Sequence, residues 1–396
     1  MSVRVLQSFP HKIGADRICM TAWEQAVGVF GAGATLTVFA GAVARGLPAG
    51  IRVHTTLARG RLRIPYRALG LRALSLHDAL VARALPRLAG EIDLVHAWPL
   101  AARETLRQAK RLGIPTVLER PNAHTRFAYE VVAAECARLG VTLPPNHEHA
   151  YNAGKLAKEE EEYDLADFVL CPSEFVAQTF RDRGFSEERL VRHTYGYDDK
   201  TYYPRETTAD ADGGLNALFV GVCAVRKGIH YGLEAWLRSS ASLRGRLRIA
   251  GEFLPDYRAV LREGLNHPSV EVLGHSNDVP ELMRGSDVLL LPSIEEGFGL
   301  VCVEAMGSGC VPLVSDACTD VVRDGEVGFV HPVGDVDALT KQLTQLDQNR
   351  TRLCELRSAC LRAAPDHTWS SAGERLVEAY EDALRRYRRP SLAAAA

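Results

Sequence analysis

Pro292-Ser293-Ile294-Glu295-Glu296-Gly297-Phe298-Gly299-Leu300-Val301-Cys302-Val303-Glu304-Ala305-Met306-Gly307-Ser308-Gly309-Cys310-Val311-Pro312-Leu313-Val314-Ser315-Asp316 decides the fold. An apolar strand, Asp287 to Leu291, runs into it, and Gly297 and Gly299 form a loop. A helix starts near Leu300 and closes at Gly307 and Gly309, and a second buried strand runs from Val311 to Ser315. In such a strand–loop–helix–strand unit the helix N-terminus offers free backbone N–H groups to a phosphate. Glu296 stands just before the helix. Glu304 lies eight residues on, about two turns at 3.6 residues per turn, so both can address one ligand along one side of the helix. Two isolated glutamates would ordinarily be an N-cap and a solvated helix residue; the surrounding pattern argues otherwise.

The run PS-x-x-E-G-F-G-L-V-x-x-E-A-M-x-x-G, residues 292–309, resembles the signature of the retaining family-4 glycosyltransferases. That signature also keeps seven residues between its two glutamates. The match is long and specific, unlike a lone glycine motif.

The rest of the chain sets the frame. Its 396 residues suit two domains or one large one, and 46% hydrophobic with 24% charged residues is ordinary for a globular protein with a core. The net charge of −2 gives no global signal for nucleic acid. Residues 1–150 hold 19 Lys/Arg against 10 Asp/Glu, a local +9 that leaves −11 for the remainder; the basic character belongs to the N-terminal part. Nine cysteines, an odd number without C-x-x-C, signal neither a disulfide framework nor a zinc site. The chain start carries no signal-peptide pattern, and a reducing cytoplasm is the expected compartment. Gln25 to Ala44 is uncharged and long enough to weigh as a membrane span. Its four glycines argue instead for a helix end, a glycine turn and the strand Thr35 to Phe39. Gly28, Gly31 and Gly33 spell G-x-x-G-x-G, but they follow a helix-like stretch and lack the acid about 20 residues on that a dinucleotide fingerprint requires.

Short buried strands alternate with helices: Val3 to Leu6, 51–57, Asp93 to Ala97, Ile114 to Leu118 and Phe168 to Cys171 read as strands, with 62–88 mostly helical and 125–166 filled by helices. Residues 196–214 turn rich in Asp and Gly, a linker. Alternation then restarts with strands at Ala217 to Gly221, Leu247 to Gly251 and Val270 to Leu273. This pattern argues α/β architecture with doubly wound parallel sheets. With the resemblance it implies GT-B, two Rossmann-like domains facing across a cleft. The expected division is 1–195 as an N-terminal acceptor-side domain and 196–214 as linker. Residues 215–369 would form a C-terminal nucleotide-sugar-binding domain, and 370–396 a helix crossing back to the first domain with a frayed tail.

Further candidates follow the same logic. Phe219 to Gly228 leaves a strand and enters a helix, and its Arg226-Lys227-Gly228 resembles the family's diphosphate-binding loop. Adjacent cations there would offset the negative leaving group. In one departure, Val222 stands where many members carry an arginine, a role related patterns give to Arg226. His124, in Glu119-Arg120-Pro121-Asn122-Ala123-His124-Thr125, resembles the family histidine beside the transferred sugar; a lone histidine is also a common structural residue. Gly14, in the first strand–helix loop, permits close backbone approach to a phosphate. The resemblance assigns base recognition to Gly274 and His275. Glu159 to Glu162 reads as a solvated helix face.

The resemblance implies a metal-independent hexosyltransferase that retains anomeric configuration. Glu296 would bind hydroxyls of the transferred sugar and Glu304 the ribose. Arg226, Lys227 and the amides around Phe298, Gly299, Leu300 and Val301 would hold the diphosphate. No cofactor is implied beyond a nucleotide sugar, such as a UDP- or GDP-sugar, as co-substrate. The acceptor stays open among glycan, lipid-linked and small molecules. A phosphorylase- or epimerase-like GT-B enzyme and a non-catalytic sugar-nucleotide binder remain alternatives. Residues 51–72 carry six arginines and no acid among interleaved apolar residues. That segment reads as a packed helix with solvated arginines, as a peripheral contact with the cytoplasmic membrane face, or as a patch that attracts an anionic acceptor.

Overall fold

The computed structural model describes residues 2–59, 62–64, 69–205 and 213–388. Within them two parallel sheets stand side by side. The first joins β1 (Arg4–Ile13), β2 (Thr35–Val43), β3 (Arg52–Thr55), β6 (Leu94–Ala97), β7 (Thr116–Glu119), β8 (Phe168–Cys171) and β9 (Leu190–Arg192) in the order β3-β2-β1-β6-β7-β8-β9. The second joins β10 (Asn216–Val220), β11 (Arg246–Ala250), β12 (Val270–Gly274), β13 (Val288–Leu291), β14 (Val311–Ser315) and β15 (Phe329–His331) in the order β12-β11-β10-β13-β14-β15. Helices cover both faces, so central strands such as β13 are near-continuous apolar runs, buried at every residue. In both sheets the strand order reverses beside the first strand, the switch point at which open α/β sheets place ligands.

Several boundaries differ from the sequence reading. β1 runs on to Ile13, past Leu6, the expected end of the first strand; its register breaks between Phe9 and Lys12, where Pro10 lacks an N–H to give. The helix expected over 62–88 is Leu71–Leu88. Ahead of it β4 (Ala58–Arg59) pairs antiparallel with β5 (Leu62–Arg63). Most of the arginine run of 51–72 lies outside the described residues or side chains; Arg52 pairs with Glu91 at 2.5 Å. The stretch 125–166 is two helices, Thr125–Leu139 and Ala153–Leu165, separated by a loop that Gly140 opens in left-handed conformation.

The last helix, Trp369–Arg388, lies on the N-terminal helix Ile18–Gly31. The backbones approach so closely that a Cβ on Gly373 would sit 2.3 Å from the Gly28 carbonyl carbon. Gly28, part of the G-x-x-G-x-G string, thus serves helix packing. Tyr380 of the same helix shares a hydrogen bond of 2.7 Å with His96 Nδ1.

Candidate active site

The loops leaving the two sheets meet at a cleft of about 340 Å³. Phe9, Trp98, Arg120, Asn122 and Tyr195 line it from the N-terminal side, and Glu296, Phe298, Gly299 and Leu300 from the C-terminal side. The signature stretch reaches across the gap. A Cβ on Gly297 would fall 1.6 Å from the Pro121 carbonyl oxygen, so only glycine lets the two loops touch. Ser173 donates to the Gly297 carbonyl at 2.5 Å. The Phe298 ring meets Tyr195 edge-on at 5.6 Å. Behind it Gly299, at φ +71°, turns the chain into the helix Leu300–Gly307, whose first amides have no intrahelical partner.

Glu296 is the centre of charge. Its carboxylate pairs with Lys227 Nζ, and Arg226 Nη1 lies 3.3 Å from its other oxygen. Burial alone would raise this carboxyl, but Lys227 and Arg226 hold it below the ordinary carboxylate value. It is therefore an acceptor of hydroxyl protons. Arg226 also donates to the Glu295 carbonyl at 2.9 Å and contacts its carboxylate at 3.3 Å. Burial would raise the Glu295 carboxyl too, yet Arg226 and His149 bring it to about 2. Val222, where an arginine was the expectation, is solvent-exposed at the strand end.

The remaining candidates are dispersed. Glu304 and Val301 lie along the signature helix beyond the cleft lining. Burial lifts the Glu304 carboxyl to about 7, with a hydrogen bond from Tyr202 opposing that rise. Gly274 ends β12 at φ +69°, and His275 is exposed with Nε2 3.2 Å from Asn277 Oδ1. Gly14 is packed under Arg45 and Trp23. His124 is not among the cleft-lining side chains. It caps the helix Thr125–Leu139, its Nδ1 accepting from the Arg126 amide at 3.2 Å, and its ring packs on Tyr163 and Phe180. Burial, reinforced by Arg120, lowers this imidazole to about 3, so it is neutral at neutral pH.

The acidic run 159–162 corrects the reading of a solvated face. Glu159 is buried, pairing with Arg120 at 3.2 Å and accepting from Thr125 at 2.5 Å. Glu162 is fully buried and accepts the amides of Leu100 and Ala102 at 2.6 and 2.9 Å, in the turn that leads into the helix Arg103–Leu112. Glu160 and Glu161 are half-exposed and pair with Arg126 and Arg107. The charges are inside because their partners, distant in sequence, fold onto them.

A second buried carboxylate lies under the cleft on the N-terminal side. Glu119 is fully buried and receives Tyr195 at 2.8 Å, Gln25 at 2.9 Å, and the Nε2 atoms of His193 and His96 at 3.0 and 3.1 Å. Burial would raise it, but the two imidazoles keep it far below the usual carboxylate range. Arg120, Asn122, Tyr195, Trp98 and Phe9 escaped the sequence reading as site residues. The string Glu119 to His124 was the signal for the first two, since it follows a buried strand as the glycine loop does. Among the described residues no group of three or more His, Cys, Asp or Glu side chains could hold a metal ion. Nor is any helix there long and apolar enough to cross a membrane.

Residues 214–349 match the family described as Glycosyl transferases group 1. An MMP alpha-(1->4)-mannosyltransferase of Mycolicibacterium hassiacum is 27% identical over 318 residues, 77% of this chain and 74% of that protein. Over residues 214–349 the chain is therefore similar to the group 1 glycosyltransferases. A phosphatidyl-myo-inositol mannosyltransferase of Mycobacterium leprae is 36% identical to this chain over 117 residues, 28% of the chain and 31% of the relative. That alignment therefore spans about a third of the relative's length. Sucrose-phosphate synthase from Thermosynechococcus elongatus superposes at a TM-score of 0.68 with 18% identity, covering 100% of both chains. The GT-B architecture expected from the signature is thereby established as the fold of this chain.

Proposed function

We propose that the enzyme transfers a hexosyl group from a nucleotide-diphosphate sugar, a UDP- or GDP-sugar, to an acceptor hydroxyl, with retention of anomeric configuration and without a metal. One observation carries this reading. An ionised Glu296 and the open N-terminus of the helix Leu300–Gly307 share one edge of a cleft, with Lys227 paired to Glu296 behind that edge and loops of the other sheet lining the opposite edge. The diphosphate would replace Glu296 as partner of Lys227 and accept the amides of Leu300 and Val301. Glu296, so released, would accept hydroxyls of the transferred sugar. Glu304 would accept the ribose hydroxyls, and Gly274 and His275 would border the base. Cation and helix dipole would stabilise the leaving diphosphate as charge builds on it. The acceptor would enter past Trp98, Arg120 and Asn122.

We place the enzyme in the cytoplasm, with a peripheral membrane contact next to the arginine run of 51–72. Leu69, Leu71, Leu76 and Leu80 are exposed there, and Arg72, Arg83 and Arg87 share the open side of the helix Leu71–Leu88.

The test is a thermal-shift screen of nucleotides and nucleotide sugars, in which a ligand at 100 times its dissociation constant adds about 2.7 kcal/mol. The hit is then followed by NMR of the anomeric configuration of the product formed in EDTA. Inverted product, a requirement for added magnesium, or phosphate-dependent cleavage of a glycan would each overturn the corresponding part of the proposal.

A further inference from the structure

Glu295 has no role in the mechanism above, yet it is the most tightly enclosed carboxylate in the signature stretch, with no exposed surface. Its acceptors are taken by three separate segments. The Ala123 amide, in the loop after β7, donates to Oε1 at 3.0 Å. His149 Nε2, in the loop between the helices Thr125–Leu139 and Ala153–Leu165, stands 3.3 Å from Oε2. Arg226 Nη1 contacts the same oxygen at 3.3 Å. The first two belong to the N-terminal domain and the third to the C-terminal domain. His149 is itself oriented from behind: its amide donates to His147 Nδ1 at 3.2 Å, and its Nδ1 lies 3.5 Å from Glu148.

A buried carboxylate is tolerated only with its charge and lone pairs matched. Glu295 is matched only when both N-terminal loops have arrived. It is the chain neighbour of Glu296, and Arg226 Nη1 bonds to both glutamates. The Arg226 carbonyl also accepts the Ile294 amide at 2.9 Å, which ties the cationic loop to the signature loop. We propose that Glu295 is a positioning residue, held by His149 and Ala123 of the opposite domain, that sets Glu296 and Arg226 in working geometry only when the two domains meet. This role rests on the glycosyltransferase reading of Glu296.

The experiment compares His149→Ala, His149→Gln and wild type. Gln carries an amide N–H at the reach of Nε2. His149→Ala lowers kcat by about 100-fold, the scale of a misplacement near 1 Å, while the calorimetric Kd for the nucleoside diphosphate changes by less than about 2-fold, since only steps after donor binding need the opposite domain. His149→Gln restores most of the loss. In the nucleotide-free enzyme, amide hydrogen exchange over 292–299 is faster in His149→Ala than in wild type. Unchanged kcat, a parallel loss of nucleotide affinity, failure of Gln to exceed Ala, or unchanged exchange over 292–299 would overturn the proposal. A wild-type protein that transfers no sugar from any nucleotide donor would instead overturn the transferase reading, and the exchange measurement would still report on the junction.

Discussion

Two buried carboxylate clusters flank the cleft, and they differ in what surrounds them. Glu119 in the N-terminal domain is ringed by two imidazoles, a phenol and an amide. Glu296 in the C-terminal domain is ringed by an arginine and a lysine. Glu119 is fully buried and Glu296 only 6% exposed, so both are largely desolvated and the partners decide the outcome. The Glu119 partners come from β6, the segment after β9 and the helix Ile18–Gly31, and His96 passes the connection on to Tyr380 of the closing helix. That cluster fastens β7 to four other elements, and both oxygens of Glu119 are taken up in doing so. The Glu296 cations, half-buried behind the cleft-lining carboxylate, can exchange a carboxylate for a phosphate. Burial of both thus yields a fastening on one side and a set of exchangeable partners on the other.

The widest separation between the two is in stability. Glu119→Leu leaves two buried imidazoles and a phenol unmatched and lowers the unfolding free energy by about 3–5 kcal/mol, read from urea denaturation. A loss below about 1 kcal/mol would break the comparison. Acid sharpens it. Glu119 and Glu295 are both depressed when folded, Glu295 to about 2 against an ordinary 4.5. Their contribution is complete above the unfolded value and is lost as pH falls from 4.5 toward the folded value. Wild-type stability therefore declines below pH 4.5, and Glu119→Leu flattens that decline.

Lys227→Ala is the converse case. It lowers kcat by about 10²–10³-fold, the scale for removing one preorganised group from developing charge, with a smaller change in donor affinity and little change in melting temperature. A comparable loss for exposed Lys341→Ala would remove the specific role.

Glu304 stands between the two behaviours. Glu304→Ala weakens nucleoside diphosphate binding by about 1.5–3 kcal/mol, measured by calorimetry. Its folded value is raised to about 7, so the native state holds the proton more tightly than the unfolded chain. The contribution is complete below 4.5 and is lost as pH rises through 7. Glu304→Gln removes that slope, and an unaltered slope would assign it elsewhere.

The smallest effect concerns the surface. Each arginine on the open side of Leu71–Leu88 adds about 1 kcal/mol to binding of anionic vesicles, so Arg83→Glu lowers co-sedimentation at low salt and barely alters transfer to a soluble acceptor. Absence of the wild-type protein from the anionic pellet would end the membrane reading.

The unit that lines the C-terminal side of the cleft was legible in the sequence because it is local. Strand, glycine loop, helix and strand occupy residues 287–316, and each turn of that unit is specified by the residues inside it. The same holds for the parallel α/β pattern, since alternation of buried runs and amphipathic segments needs no long-range information. Periodicity does not carry the partners that a charge finds after folding. Glu159 and Glu162 sit in a run of four glutamates that looks solvated, yet one meets Arg120, 39 residues away, and the other the amides of Leu100 and Ala102, 62 and 60 residues away. His149 and Ala123 meet Glu295 across 146 and 172 residues. Local geometry fixes what a residue can offer. Only the closing of two sheets onto one cleft, with burial that forbids an unmatched carboxylate, decided which offers are taken up.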